Sequence, residues 1–287
     1  MSLTESLQSF HDYLVMSYSK PTQTSYYRHI RFFVEFLAPK KVTRASQLRP
    51  KHINEYLTFK KTEGSKPASL MQYYSCLKSF CGYLRKMKLM SVDVMESVSM
   101  PKKVQKVPNV PTPQQVTKLL EIIPVHKERG VRDRAMLELL YSSGLRVSEL
   151  CDLCVEDVEE KQVKIKCGKG GRPRTVPLTS SALLWINRYI DVTGRYQGPL
   201  FVATWNKPIT RQRVNSLVTS YAKQAKIPKL SPHSLRHACA THLLESGADI
   251  RMIQELLGHA CIASTQIYTS LTSEKIQTMF QEFHPRK

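Results

Sequence analysis

A segment rich in proline and lysine, residues 101–111, separates two longer stretches that have regular apolar patterns. It contains three prolines, three lysines and no acidic residue. Proline lacks a backbone donor and biases the residue before it toward an extended conformation, so a helix is not expected to run through this segment. The sequence therefore predicts an extended basic linker between an N-terminal domain, residues 1–100, and a C-terminal domain, residues 112–287.

The charge of the chain indicates a polyanionic partner. Lysine and arginine number 43 against 23 acidic residues, a formal net charge of +20. The excess occurs on both sides of the linker, which favours a two-domain, C-shaped clamp around double-stranded DNA. A membrane partner is disfavoured because no apolar run approaches the ~18 residues of a span. The seven cysteines are scattered and the N-terminus does not resemble a signal peptide, so we expect a cytoplasmic protein.

Apolar residues in the first 100 positions recur with helical spacing. The spacing predicts a small bundle of four amphipathic helices, from Leu3 to Tyr18, Thr22 to Leu37, Lys51 to Thr62 and Ala68 to Met87. For the pairs Tyr26-Tyr27 and Tyr73-Tyr74 we favour positions in and around the core. Solvated surface positions are expected for the basic residues of the polar faces, which are Arg28, Arg31, Lys60, Lys61, Lys78, Arg85, Lys86 and Lys88.

The C-terminal part is predicted to be mainly helical, with one β-hairpin. Residues 162–166 alternate polar and apolar side chains, a glycine-rich turn follows at 168–171, and residues 174–178 form the return strand, which puts Lys169 at the tip. Further helices are expected from Thr112-Pro113 onwards, and at Ser180 to Asp191, Thr210 to Ala225, Leu235 to Glu245, Asp249 to Leu257 and Glu274 to Phe283. The predicted fold class is mostly α, with a small antiparallel sheet in the second domain.

Two patterns resemble metal sites, and for both we favour a structural role. Cys151 and Cys154 form a C-x-x-C pattern, but no second pair completes a zinc ribbon, and small buried residues are expected there. His233 and His237 are spaced to share a metal on one helix face, but no nearby ligand obviously completes the site. Acidic residues are too scattered for a two-metal centre, and a nucleotide P-loop is absent. We therefore expect neither a metal nor a cofactor.

The chemistry that remains is cleavage of a phosphodiester without a metal. Guanidinium groups suit the phosphate oxygens because they are permanently charged and bidentate, and a nucleophile and a proton donor are also required. Arg146 follows a glycine turn, and His233 and Arg236 share a helix face. Two further sequences complete the set, Leu256-Leu257-Gly258-His259 and Thr265-Gln266-Ile267-Tyr268. Taken singly, each residue has an ordinary structural explanation.

Together these pieces resemble the signature of the tyrosine recombinases, also called phage integrases. The other two motifs are Leu145-Arg146-Val147-Ser148-Glu149-Leu150, and His233-x-x-Arg236-His237 followed by Ala240-Thr241-His242-Leu243-Leu244. The resemblance is detailed from Thr112 to the end and covers residues 1–100 in size and helical pattern. The Xer-like subgroup is favoured by the overall length, by the absence of an arm-binding domain before Met1 and by the ending His284-Pro285-Arg286.

The resemblance implies six catalytic residues. Tyr268 would be the nucleophile that forms a 3′-phosphotyrosyl link, and Arg146 and Arg236 would be the pair that binds the phosphate. Lys169 would be the acid that protonates the departing 5′-oxygen. His233 would assist proton transfer from the tyrosine, and His259 would form a hydrogen bond with a phosphate oxygen. Lys164, Lys166 and Arg172 lie close to Lys169, so this assignment depends on the hairpin register. The tyrosyl ester stores the energy of the reaction, so resealing needs no cofactor.

The resemblance also implies an assembly, a homo- or hetero-tetramer on two DNA sites that exchanges strands through a Holliday junction. A C-terminal helix would dock into a neighbouring subunit, and the apolar stripe of Ile276, Met279, Phe280 and Phe283 is the candidate, although it could pack on its own domain instead. Chromosome dimer resolution and integration or excision of a mobile element remain open as biological roles. Two other functions remain open, a type IB topoisomerase-like enzyme and a non-catalytic DNA-binding relative; the six filled positions disfavour the latter.

Overall fold

The computed structural model describes residues 1–100, 110–166, 173–203, 207–258 and 273–286, and of residues 273–275 it describes the backbone alone. The chain divides into two compact units, Met1–Lys106 and Val107–Lys287. Most of the segment predicted as a linker, residues 101–109, lies outside the described residues. In the part of the chain that is described, no helix has the length and apolar character needed to cross a membrane.

Over residues 1–100 the first unit contains four α-helices, which are α1 (Leu3–Ser17), α2 (Lys20–Leu37), α3 (Pro50–Thr62) and α4 (Pro67–Lys86). The predicted helical bundle is thus confirmed, with ends that differ by a few residues. The hydroxyl of Ser2 accepts a hydrogen bond from the backbone of Glu5, whose carboxylate accepts one in return, so α1 begins with a capping box. Each of the other three helices has one proline at its first or second position, where the missing N–H costs no helical hydrogen bond.

Aromatic side chains from all four helices fill the core of this unit. Phe10 and Phe80 meet edge to face with ring centroids 5.1 Å apart, and Phe33 and Tyr56 do the same at 5.1 Å. The four tyrosines at 26, 27, 73 and 74 are partly buried against this core, as expected. The basic residues are exposed as expected, except Lys60. Its ammonium group lies over the rings of Phe32, Tyr56 and Phe59, because aromatic faces attract a cation.

The second unit is mainly helical and contains a two-stranded sheet, which agrees with the predicted fold class. Its helices, within the described residues, are α5 (Pro113–Glu121), α6 (Glu128–Ser142), α7 (Val147–Asp152), α8 (Ser180–Thr193), α9 (Arg211–Gln224), α10 (Pro232–Glu245), α11 (Ile250–Leu257) and α12 (Ser273–Phe283). Strands β1 (Gln162–Ile165) and β2 (Arg174–Pro177) pair antiparallel, with Val163 opposite Val176 and Ile165 opposite Arg174. Residues 167–172, between the strands, lie outside the described residues.

Helix α6 runs through the middle of this unit and is buried on nearly every side from Gly130 onwards, including the charged residues Arg132, Asp133, Arg134 and Glu138. The guanidinium of Arg132 donates to Asp133 at 2.8 Å, and the hydroxyl of Tyr221 donates to the same carboxylate at 3.0 Å. On the same helix, Arg134 donates to Glu138, one turn further along, at 3.0 Å. Pairing is what allows these charges to be buried. Because apolar residues do not form a single stripe on α6, apolar spacing did not single out this helix.

The C-terminal helix packs on its own unit in this chain. Met279 and Phe280 of α12 are buried in the core of the second unit. After the helix, the guanidinium of Arg286 donates to both oxygens of Glu138, at 3.1 and 2.7 Å. This agrees with the alternative that the stripe packs on its own domain, and docking of this helix into a neighbouring subunit stays a prediction. Burial of an apolar stripe is favourable, and here the stripe is buried against the second unit of the same chain.

A buried histidine, His284, lies near the C-terminal end of the second unit, and we expect it to make this unit sensitive to acid. The ring of His284 lies 4.8 Å from that of Phe280 and 5.4 Å from that of Tyr141, between centroids. Burial, with Arg286 and His242 nearby, lowers the pKa of His284 to about 3. Between this value and an unfolded pKa of about 6.5, the unfolded chain binds a proton that the folded chain does not.

The His284→Asn variant should therefore lose less stability on acidification than the wild type. In the wild type, the backbone N–H of Arg286 donates a hydrogen bond to Nδ1 of His284 at 3.0 Å. Asparagine keeps an acceptor for this hydrogen bond but does not titrate. We expect the free energy of unfolding of the wild type to fall more steeply, by up to about 1.4 kcal/mol for each pH unit below about 6.5. Urea unfolding of both proteins near pH 7 and near pH 5 measures this difference. Equal slopes would contradict the prediction.

Candidate functional site

Three consecutive carbonyl oxygens at the end of α11 each accept a hydrogen bond from a different arginine. The acceptor and donor pairs are Leu256 with Arg174 at 3.4 Å, Leu257 with Arg236 at 2.6 Å, and Gly258 with Arg146 at 2.9 Å. The last carbonyls of a helix lack intrahelical partners and form the negative end of its dipole. This end therefore attracts cations, and it holds together three residues from distant parts of the chain, which we call the arginine cluster (Arg146, Arg174 and Arg236).

One buried carboxylate joins two members of the arginine cluster. Glu149 of α7 has a side chain only 2% exposed, and each of its oxygens accepts two hydrogen bonds. Arg174 donates to both oxygens at 2.9 Å, while Arg146 donates through its guanidinium and its backbone N–H, both at 2.8 Å. Burial favours a higher pKa for Glu149, but the hydrogen bonds and charges of Arg174 and Arg146 outweigh it and hold this pKa below its usual value.

Arg236 enters the cluster from α10 and is buried. Its second hydrogen bond goes to the carbonyl oxygen of Gly144, at 2.5 Å, in the turn between α6 and α7. Burial, reinforced by the positive charge of Arg146, lowers the pKa of Arg236 to about 10. The side chain still carries its charge near neutral pH. Three guanidinium groups thus face a single carboxylate, and the site has an excess of positive charge that favours an anion.

His233 lies in the first turn of α10 and is exposed. The helix begins at Pro232, earlier than the predicted Leu235, because Ser231 caps it and proline fits its first position. His233 and Arg236 therefore do lie on one helix, three residues apart. His237 is partly buried on the same helix, and within the described residues no group of three potential metal ligands occurs.

The other three predicted site residues, Lys169, His259 and Tyr268, lie outside the described residues. The described chain reaches Lys166, the residue after β1, and resumes at residue 173, and Gly258 is the last described residue before His259. The cysteines of the C-x-x-C pattern are free thiols. They are partly exposed rather than buried as expected, because they lie at the end of α7 and just beyond it.

Sequence reasoning did not assign Arg174 or Glu149 to the site. A signal for Arg174 was nevertheless present in the alternation of β2. Side chains two positions apart point to the same face of a strand, and Val176 is fully buried. An arginine on the same face as Val176 must find a buried partner, and Glu149 supplies it. The sequence offered no comparable signal for the partner, since any acidic residue of this domain could have served.

Two family models match the chain. The model described as "Phage integrase family" matches residues 109–275, which is more than half of the chain, and the model described as "Phage integrase, N-terminal SAM-like domain" matches residues 7–88. The chain belongs to the phage integrase family. As a tyrosine recombinase it catalyses the cleavage and exchange of DNA strands.

Similar proteins agree with the expected Xer-like character of this tyrosine recombinase. "Tyrosine recombinase XerD" of Listeria monocytogenes serovar 1/2a is 35% identical over 99% of this chain and 100% of that protein. The crystal structure of XerA recombinase is similar to 99% of this chain and 100% of its own, with 26% identity and a TM-score of 0.51. A lambda integrase(75–356) dimer bound to a COC′ core site matches 95% of this chain and 100% of that chain with a TM-score of 0.76 and 18% identity, a likeness of fold.

A substitution in the turn at Gly144 tests whether the arginine cluster depends on the packing of this turn against the end of α11. Gly144 has a φ of +57°, and a Cβ atom there would lie 2.7 Å from Cδ2 of Leu257. We expect Gly144→Ala to lower the free energy of unfolding by about 1–2 kcal/mol through backbone strain, and by more through the clash. We also expect slower DNA cleavage, because the carbonyls of both Gly144 and Leu257 bind Arg236.

Gly194→Ala is the matched control for this variant. Gly194 has a φ of +60°, and nothing lies within 4 Å of an added Cβ, so only the backbone strain remains. Urea unfolding and the rate of covalent complex formation with DNA measure the two effects separately. Equal losses of stability and equal cleavage rates in the two variants would show that the space around Gly144 is unimportant for the site.

Proposed function

We propose that this tyrosine recombinase uses Arg146 and Arg236 to bind the scissile phosphate of its DNA site. The observation that carries this proposal is that both guanidinium groups are held at neighbouring carbonyls of α11 with donors to spare. Within the described residues each side chain donates two hydrogen bonds, and a guanidinium has five N–H groups. Negative charge on the phosphate oxygens grows in the transition state, and preorganised cations stabilise it.

The remaining roles are assigned to residues that match the family's motifs. The phenolic oxygen of Tyr268 attacks the phosphorus, the bond to the 5′-oxygen breaks, and a 3′-phosphotyrosyl link forms. His233 assists removal of the phenolic proton, Lys169 gives a proton to the departing 5′-oxygen, and His259 hydrogen-bonds a phosphate oxygen. Attack by the 5′-hydroxyl of a partner strand reverses these steps and joins the exchanged strands. The phosphodiester energy is kept in the tyrosyl ester, so the exchange consumes no ATP.

The same proposal includes binding to double-stranded DNA through both domains and assembly on two recombination sites. A net charge of +20 supports it, because it permits many phosphate contacts. The lambda integrase of similar fold was solved as a dimer on a core site and also as a tetramer on a Holliday junction. We propose a tetramer, either of this chain alone or shared with a related chain. Its biological role would be chromosome dimer resolution or the integration and excision of a mobile element.

The Tyr268→Phe variant should bind its DNA site normally but form no covalent complex. A nicked duplex that loses its short 5′-hydroxyl strand after cleavage traps protein on the 3′ end. We expect this product with the wild type and none with the variant, because phenylalanine lacks the attacking oxygen. Gel-shift affinity of the two proteins serves as the control. Protein attached to a 5′ end would contradict the proposed chemistry.

A second assay, on supercoiled DNA that carries one or two sites, separates recombination from simple relaxation of DNA. Recombinant product should appear when two sites are present and should be absent with one site. A type IB topoisomerase-like enzyme would instead relax supercoiled DNA that carries a single site.

The Lys169→Ala variant should be rescued by a better leaving group. A 5′-bridging sulfur needs little protonation when it departs, whereas an alkoxide needs an acid. We expect the variant to cleave the normal duplex about 100-fold more slowly than the wild type, and the sulfur-containing duplex at nearly the wild-type rate. Single-turnover rates on the two duplexes measure this ratio. Equal slowing on both would assign the acid role to another residue, for which Lys164 and Lys166 are the neighbouring candidates.

A further inference from the structure

Arg174 is the member of the arginine cluster that has no role in the proposed reaction. It is the first residue of β2, and its side chain is 15% exposed. Its two terminal nitrogens donate to the two oxygens of Glu149, both at 2.9 Å, and its Nε donates to Leu256. The guanidinium also lies against Gly258, where an added Cβ would be 3.2 Å from Cζ. Within the described residues, three of its five N–H groups are used by the protein, against two in Arg146 and in Arg236, so we assign Arg174 a supporting role rather than that of a phosphate ligand.

The bidentate contact of Arg174 determines how strongly Glu149 competes for Arg146. A carboxylate that is 2% exposed must be neutralised by a partner, because leaving a buried charge unpaired is costly. With Arg174 present, two parallel hydrogen bonds neutralise it, and Arg146 contributes one guanidinium nitrogen. Without Arg174, the whole of this attraction would fall on Arg146, and it would oppose the attraction of Arg146 to a phosphate.

Arg174 also connects three parts of the chain that carry proposed catalytic residues. Through β2 it belongs to the hairpin whose connecting segment, residues 167–172, includes Lys169. Through Glu149 it contacts α7, which begins after Arg146, and through Leu256 it contacts the helix end that precedes His259. Its single planar group with five donors makes the contacts to Glu149 and Leu256 together, which the point charge of a lysine could not.

We propose that Arg174 is a positioning residue for strand cleavage: it neutralises Glu149 so that the guanidinium of Arg146 is available to the scissile phosphate, and it ties the base of the hairpin to the end of α11. This inference rests on the proposed role of Arg146. It requires that the effect of Arg174 depends on the carboxylate of Glu149.

A double-variant cycle tests this dependence. We expect Arg174→Met, which keeps the length of the side chain but removes its charge, to slow cleavage of the nicked duplex about 100-fold. In the Glu149→Gln background the same substitution should cost about tenfold or less, because the competing charge is absent. Rates are measured at saturating DNA, after urea unfolding has shown that each variant is folded. An equal cost in both backgrounds would overturn the proposal.

A binding measurement distinguishes positioning from a purely structural role. In the Tyr268→Phe background, affinity is compared for a duplex with a normal scissile phosphate and one with an uncharged methylphosphonate there. Arg174→Met should reduce the preference for the charged phosphate about tenfold, the equivalent of one charge-assisted hydrogen bond, and Glu149→Gln should restore it. An unchanged preference would mean that Arg174 only stabilises the fold. If Arg174→Met is unfolded, Arg174→Lys, which keeps the charge but loses the fork, is measured in the same way.

Two control variants complete the design. Arg188→Met removes an exposed arginine of α8 that stacks on Trp185, and it should leave both the cleavage rate and the phosphate preference unchanged. Arg146→Met tests the proposed function itself. If Arg146→Met cleaves like the wild type, the proposed role of Arg146 fails; if it is inactive while Arg174→Met is normal, only the inference about Arg174 fails.

Discussion

Three like charges lie within hydrogen-bonding reach of one helix end, and only negative partners can hold them there. The carbonyl oxygens at 256, 257 and 258 supply partial charges, and Glu149 supplies a whole one. Each arginine comes from a different element, so the turn before α7, strand β2 and helix α10 all have to meet at the end of α11. The fold of the second unit can be understood as the frame that brings these elements to this point.

Several contacts between the elements of the second unit are made by charged side chains that are buried in pairs. Helix α6 carries two such pairs, and one of them extends through Glu138 to Arg286 at the end of the chain. Replacing a buried ion pair with apolar residues often costs little, whereas removing one partner is strongly destabilising. Such pairs therefore determine which segments must lie together more than they add stability. Here they place Arg286, three residues beyond the end of α12, against the same central helix.

The elements that sequence reasoning predicted well are those with one buried face. The helices of the first unit and strand β1 show a clear apolar period, and the proline and serine positions near their starts are local signals. Helix α6 escaped detection because it is buried all round, so its charged residues obscure any period. The apolar stripe on α12 predicts that this face of the helix is buried, but it does not indicate which surface buries it. Within the site, the motifs identified Arg146 and Arg236, while Glu149 and Arg174 depend on contacts between residues 25 positions apart.

The unequal balance of charge at the end of α11 links folding to ligand binding. Arg146 and Arg174 both disfavour the charged state of Arg236, and this repulsion is present before any DNA arrives. This repulsion opposes folding of the empty protein, and an anion that enters the site would offset it. In a site of this kind, the free enzyme is less stable and the affinity for phosphate is higher. Because a ligand that binds only the folded state stabilises it, polyanions should raise the stability of the second unit.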